Sequence, residues 1–305
     1  MGRAGKVAGV AGLAVVVAVV VGVAARAGDP GVAAPGVQAS VPSTPTPPAP
    51  TPAAESPTSR WTPTDPVQVA TKSRFYRTGV VPAVPCKLPA KLVQTRAGML
   101  AYARLMVGCM QRAWHPAVSR TGFSLDVPRV DAYTVGGNPS VAPLCKYRPD
   151  GGSDAYYVSE NKTICFEWKQ FLDNDPAWAV VYFQFVLAHE FGHHVQSAVE
   201  ILNTFEFAHA GASESVQLQD NRRMELQASC LGAAYLGANK RTLRLTGIRL
   251  DAWEYQVKHS GDDNNPKDDR DHGSRKNHGY WTLRAFKSTN PSSCNTFTAP
   301  ATRVS

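Results

Sequence analysis

His189-Glu190-Phe191-Gly192-His193 places two imidazoles four residues apart, with a carboxylate beside the first. On a helix, positions i and i+4 share one face a turn apart, so both rings can converge on a single tetrahedral ion. Glu190 is a neighbour of the first ring rather than a ligand. It can reach a water on the ion as general base and then carry the proton to a leaving amine. Zinc would draw the pKa of that water towards ~7 and polarise a scissile carbonyl. The flanking residues Leu187, Ala188, Phe191, Gly192, His194 and Val195 carry no fixed charge. Two histidines and a glutamate in so apolar a stretch are costly to bury without a partner.

Two histidines leave a third protein ligand to find. A metzincin extension requires Gly at 196 and His at 199, where Gln196 and Val199 stand, which excludes that class. Glu200 lies two turns beyond His193, too far along the same helix to share the ion. Glu225 is the better candidate, within Met224-Glu225-Leu226-Gln227-Ala228-Ser229-Cys230 on a helix of its own. His194 points about a quarter-turn from His193; its expected place is beside the ligands or on the surface. His115, His209 and His259 carry no pattern.

The elements that must hold these groups are readable from periodicity. Arg96 to Trp114 has apolar residues at helical spacing. Val127 to Val135 and Ala155 to Trp168 read as strands, the second split by a turn at Ser159-Glu160-Asn161-Lys162. Asp175-Pro176 supplies an N-cap carboxylate followed by proline at the first helical position, opening a strongly apolar helix that runs to about Leu202. Further helices are expected over Ser215 to Leu236 and near Leu250 to Val257, followed by a polar loop from Gly261 to Gly273. Strands first and helices afterwards predict an α+β domain.

Arg3 and Lys6 precede an uncharged apolar run from Val7 to Ala25, near the ~20 residues needed to span a bilayer. Ala25-Arg26-Ala27 also fits a small-x-small cleavage site. Residues 1–28 therefore read as a signal anchor, with a cleaved signal peptide and secretion as the alternative. Either way the body is expected outside the cytoplasm, with the membrane contacted through this segment. Residues 29–65, dominated by Pro, Ala, Thr, Ser and Val, cannot bury a core and read as an extended linker. The folded domain is expected over 66–305. Cys86, Cys109, Cys145, Cys165, Cys230 and Cys294 form an even set in an exported chain, with no CxxC pair, and read as disulfides. Sequence alone does not fix the connectivity. Cys86–Cys109 and Cys145–Cys165 are favoured as local pairs, and Cys230–Cys294 as a tie on the tail. The net charge of +8 is spread over scattered basic residues, with no basic run interleaved with aromatics, which argues against nucleic-acid binding.

Ala188-His-Glu-Phe-Gly-His-His-Val-Gln196 and Glu225-Leu-Gln-Ala-Ser-Cys230 resemble the AHE-x-GHH-x-Q and ELQADC helices of the bacterial neutral zinc metallopeptidase family of YpfJ-type proteins. Asp271-His272-Gly273-Ser274 is similar to that family's THGS segment, and the likeness covers roughly Pro82 to Phe297. The resemblance implies a zincin-like fold, a Zn2+ ion on His189, His193 and Glu225, catalysis by Glu190, and a protein or peptide substrate. It also implies a helper role for His272 in stabilising an oxyanion. Ser229 replaces the family's aspartate one turn after Glu225, in a position to orient a metal-bound histidine. His278 appears where the family has an arginine. Loss of a carboxylate of that kind costs ~10–100-fold in affinity or activity. The alternative function is therefore a catalytically weak zinc-binding module acting as a cell-surface interaction protein.

Overall fold

The computed structural model describes residues 65–145, 154–208, 211–264 and 270–305. The apolar run 7–25 and the proline-rich linker up to residue 64 lie outside them. Among the described residues no helix is long and apolar enough to cross a membrane. Among the described residues seven α-helices accompany a small sheet: α1 Pro66–Lys72, α2 Arg96–Ser119, α3 Pro176–Ala198, α4 Ile201–Ala208, α5 Glu214–Ala238, α6 Ile248–His259 and α7 Arg275–Ser288. The strands are β1 Arg129–Tyr133, β2 Ala155–Val158 and β3 Thr163–Glu167.

The strands lie in the order β1-β3-β2. β2 and β3 form the expected hairpin across the turn at 159–162, with Tyr156 opposite Cys165. β1 joins β3 in parallel, Asp131 beside Cys165. Every residue of β2 and β3 is buried, so the hairpin is covered on both faces. That is why its sequence reads as a near-continuous apolar run instead of alternating. Phe166 meets Phe183 of α3 edge to face at 5.0 Å between ring centroids, fixing the sheet against the central helix.

Asp175 caps α3 by accepting hydrogen bonds from the backbone N–H groups of Ala177 and Trp178, with Pro176 at the first helical position. From Ala179 to Ser197 every α3 side chain is buried except the half-buried Tyr182, as expected of a helix apolar on all sides and enclosed by other elements. The helix stops at Ala198, earlier than its apolar pattern suggests. Glu200 takes a left-handed conformation at φ 65° and redirects the chain into α4. The sulfurs pair as Cys86–Cys109, Cys145–Cys165 and Cys230–Cys294. These tie the α2 approach, the sheet and the α5–tail junction respectively.

Candidate metal centre

The centre is built where α5 lies against α3. Two glycines permit that approach: a Cβ on Gly192 would stand 2.4 Å from the Ala228 carbonyl oxygen, and one on Gly232 would stand 2.7 Å from the Ala188 carbonyl. Backbone therefore meets backbone at the level of the motif, and Glu225 on α5 is carried to within reach of both histidines on α3.

Three donor atoms converge there. His189 Nε2 and His193 Nε2 are 3.0 Å apart, and Glu225 Oε2 lies 3.1 Å from the first and 3.2 Å from the second. These residues form a group able to hold a metal ion. The partners of the other ring nitrogens bear on the tautomers. His193 Nδ1 is 2.9 Å from Gln196 Oε1. The Gln196 amide nitrogen donates to the Met224 carbonyl and to Gln227 Oε1. Gln227 in turn donates to Tyr76 Oη and to the Cys294 carbonyl, and Tyr76 donates to the Ala70 carbonyl. Gln196 Oε1 is thus an acceptor, and His193 Nδ1 carries the proton it accepts. His189 Nδ1 lies 2.8 Å from Ser229 Oγ. With Nδ1 protonated on His193, and on His189 where Ser229 accepts, two Nε2 lone pairs and a carboxylate oxygen face one point, an arrangement suited to a cation.

The electrostatics agree. Burial pulls His193 down, but the charges of Glu225 and Glu190 outweigh it and the ring's pKa is raised. Burial likewise opposes ionisation of Glu225, yet His193, His272 and two hydrogen bonds hold it well below the usual carboxylate range. His189 is lowered to about 4, chiefly by burial. The raised His193 and the lowered Glu225 mark a cluster whose charges favour a positive charge among its donors. The donor set, two imidazoles and one carboxylate, matches that of catalytic zinc.

Glu190 and His193 are fully buried, whereas His189, Glu225 and His272 retain 5%, 5% and 8% exposure. The accessible side of the cluster is therefore the side bordered by these last three. Neither carboxylate oxygen of Glu190 has a hydrogen-bond partner among the described residues. Burial pushes its pKa up to about 8. His272 approaches from the loop before α7, its Nε2 3.5 Å from Glu225 Oε2. Its Nδ1 is 2.5 Å from Asp271 Oδ1, and its backbone N–H donates to Asp262. Burial opposes charge on this ring too, but Glu225, Asp271 and Asp262 raise it to about 10.

His194 does not stand beside the ligands, nor on the surface. It is buried, and its ring bridges Tyr157 Oη at 2.9 Å and the Asp126 carbonyl at 2.7 Å, joining α3 to the sheet side. One residue along a helix turns a side chain by about 100°, enough to take it out of the cluster. Sequence reasoning missed Gln196, Gln227 and Tyr76 as the support of His193. Gln196, three residues after His193 and so on its face, carried the available signal.

The domain is α+β, and two imidazoles and one carboxylate converge between its helices. Residues 166–297 match the family model described as "Putative neutral zinc metallopeptidase", which supports the resemblance read from the two motif helices. The matched segment spans α3, α5 and α7 and carries every residue of the centre. No curated protein and no solved structure gives a match.

Proposed function

We propose that the protein is a metallopeptidase in which His189, His193 and Glu225 hold Zn2+ and Glu190 is the general base. The observation that carries this reading is Glu190 itself, a fully buried carboxyl with no hydrogen-bond partner among the described residues, beside three converged donor atoms. Unpartnered buried carboxyls are expensive, and active sites are where they are kept. When bound, zinc supplies Lewis acidity that makes water nucleophilic near neutral pH and polarises the scissile carbonyl. Glu190 accepts the proton of the attacking water and returns it to the leaving amine nitrogen. A carboxyl displaced upwards by burial is suited to both halves of that transfer. His272, held by Asp271 and Asp262 at the accessible side, donates to the oxyanion. Ser229 still hydrogen-bonds His189, so the replaced aspartate leaves no orphaned ring. Three disulfides in a body preceded by a basic and then apolar N-terminal run support an exported protein acting on peptides outside the cytoplasm.

In the full-length protein, Glu190→Gln is expected to retain zinc while cleavage of an unstructured protein falls ~10²–10⁴-fold. Cleavage equal to wild type would sink the assignment. Bound zinc with no cleavage of any substrate by wild type would favour the non-catalytic binding module.

A further inference from the structure

Ser229 raises a difficulty that a carboxylate would not. A carboxylate beside a metal-binding imidazole can only accept, so it fixes the proton on Nδ1 and leaves Nε2 bare. A hydroxyl accepts or donates. If Ser229 donated to His189 Nδ1, the ring proton would move to Nε2 and block the metal.

The structure places His278 where it removes that freedom. His278 is buried on α7, its ring edge-on to Phe185 at 5.9 Å between centroids. Its Nδ1 is 3.0 Å from the Val257 carbonyl oxygen, which can only accept, so Nδ1 carries a proton. Burial keeps the ring neutral, with a pKa of about 4. Nε2 is then a bare lone pair, 3.1 Å from Ser229 Oγ. Ser229 must donate to it. With its single proton committed, Oγ meets His189 Nδ1 at 2.8 Å as an acceptor. Proton donation therefore runs in one direction, from His189 to Ser229, from Ser229 to His278, and from His278 to the α6 backbone.

We propose that His278 is a positioning residue for the metal centre: by taking the Ser229 hydroxyl proton it makes the serine acceptor-only and locks His189 in its metal-binding tautomer. Ser229 and His278 together perform the task of one carboxylate. The proposal rests on the reading of His189 as a zinc ligand.

The test uses the full-length protein with His278→Phe, Ser229→Ala, their double variant, and Ser229→Asp added to His278→Phe. Zinc dissociation constants are measured by chelator competition, and the His189 tautomer in the metal-free protein by nitrogen-15 NMR. Wild type should show His189 protonated at Nδ1. His278→Phe should shift the ring towards the Nε2-protonated form and weaken zinc binding on the order of 10-fold. The double variant should bind within about 2-fold of Ser229→Ala alone, because His278 acts only through the serine. Ser229→Asp should recover most of the affinity lost in His278→Phe, since a carboxylate needs no proton taken from it. That rescue would not occur if the phenylalanine merely damaged the fold. Unchanged affinity and tautomer in His278→Phe would overturn the proposal, as would an equal further loss in the Ser229→Ala background. A wild-type chain that binds no zinc overturns the metal reading and this proposal with it. Wild-type binding with an indifferent His278→Phe overturns this proposal alone.

Discussion

His189 and His193 stand one turn apart on α3 and face the same cluster, yet they are braced differently. Behind His193 is a relay of amides, Gln196 then Gln227, ending on Tyr76 and the α1 backbone. Behind His189 is a single hydroxyl, backed by a ring on α7. An amide presents a carbonyl and an NH2 at opposite ends, so once its nitrogen is engaged its oxygen has only one role. A hydroxyl has both roles on one atom, and its direction must be imposed from outside. The first device draws on three elements that converge on α3, the second on the placement of one distant side chain.

Removing what both braces share should have the largest effect. Gly192→Ala forces a Cβ into the Ala228 carbonyl, and α5 must move away from α3, loosening Ser229 and Gln227 together. A loss of about 3 kcal/mol in urea unfolding is expected. A loss under ~0.5 kcal/mol would show that the helices can separate without cost. Breaking one brace alone comes next. Gln196→Leu leaves His193 Nδ1 with no acceptor and should weaken zinc binding towards 100-fold, while the His189 tautomer stays as in wild type. Disturbance of both rings would mean that the two braces are coupled. The smallest effect, taken per pH unit, is a slope. His194 and His278 are both lowered to about 4 by burial, against about 6.5 in an unfolded chain. Between those values the unfolded state binds more protons. Their stabilising contribution is complete above pH 6.5 and is lost as pH falls towards 4, by about 1 kcal/mol per pH unit for each. Replacing either ring by Phe should flatten the dependence of the urea midpoint in that window.

The legible parts of the molecule are those decided within a few residues. The i, i+4 histidines, the Asp175-Pro176 helix start and the hairpin across 159–162 each follow from local spacing and appear as read. Excluding Glu200 left Glu225 only as a candidate, and it was the resemblance of its helix to the family's second motif that singled it out. Other features depend on meetings between remote segments. The end of α3 at Ala198 is set by a left-handed glutamate, a residue type that does not announce such a turn. The parallel pairing of β1 with β3 bypasses the nearer strand β2 and leaves no local mark. His278 meets Ser229 from 49 residues away, and Gln227 meets Tyr76 from 151. His194 went astray because a helical wheel gives its direction from His193 but not what lies there. What lies there is Tyr157 and the Asp126 carbonyl.

The three disulfides also impose an order on maturation. A chain emerging from its N-terminus can close Cys86–Cys109 and Cys145–Cys165 over 23 and 20 residues, before α3 or α5 exists. Cys230, one residue after Ser229, must wait 64 residues for Cys294. The Cys294 carbonyl is also one of the acceptors holding Gln227. The scaffold can thus be stapled early, and the helix that carries Glu225 is secured only when the tail arrives. A half-made chain has its walls but not the finished cluster of His189, His193 and Glu225.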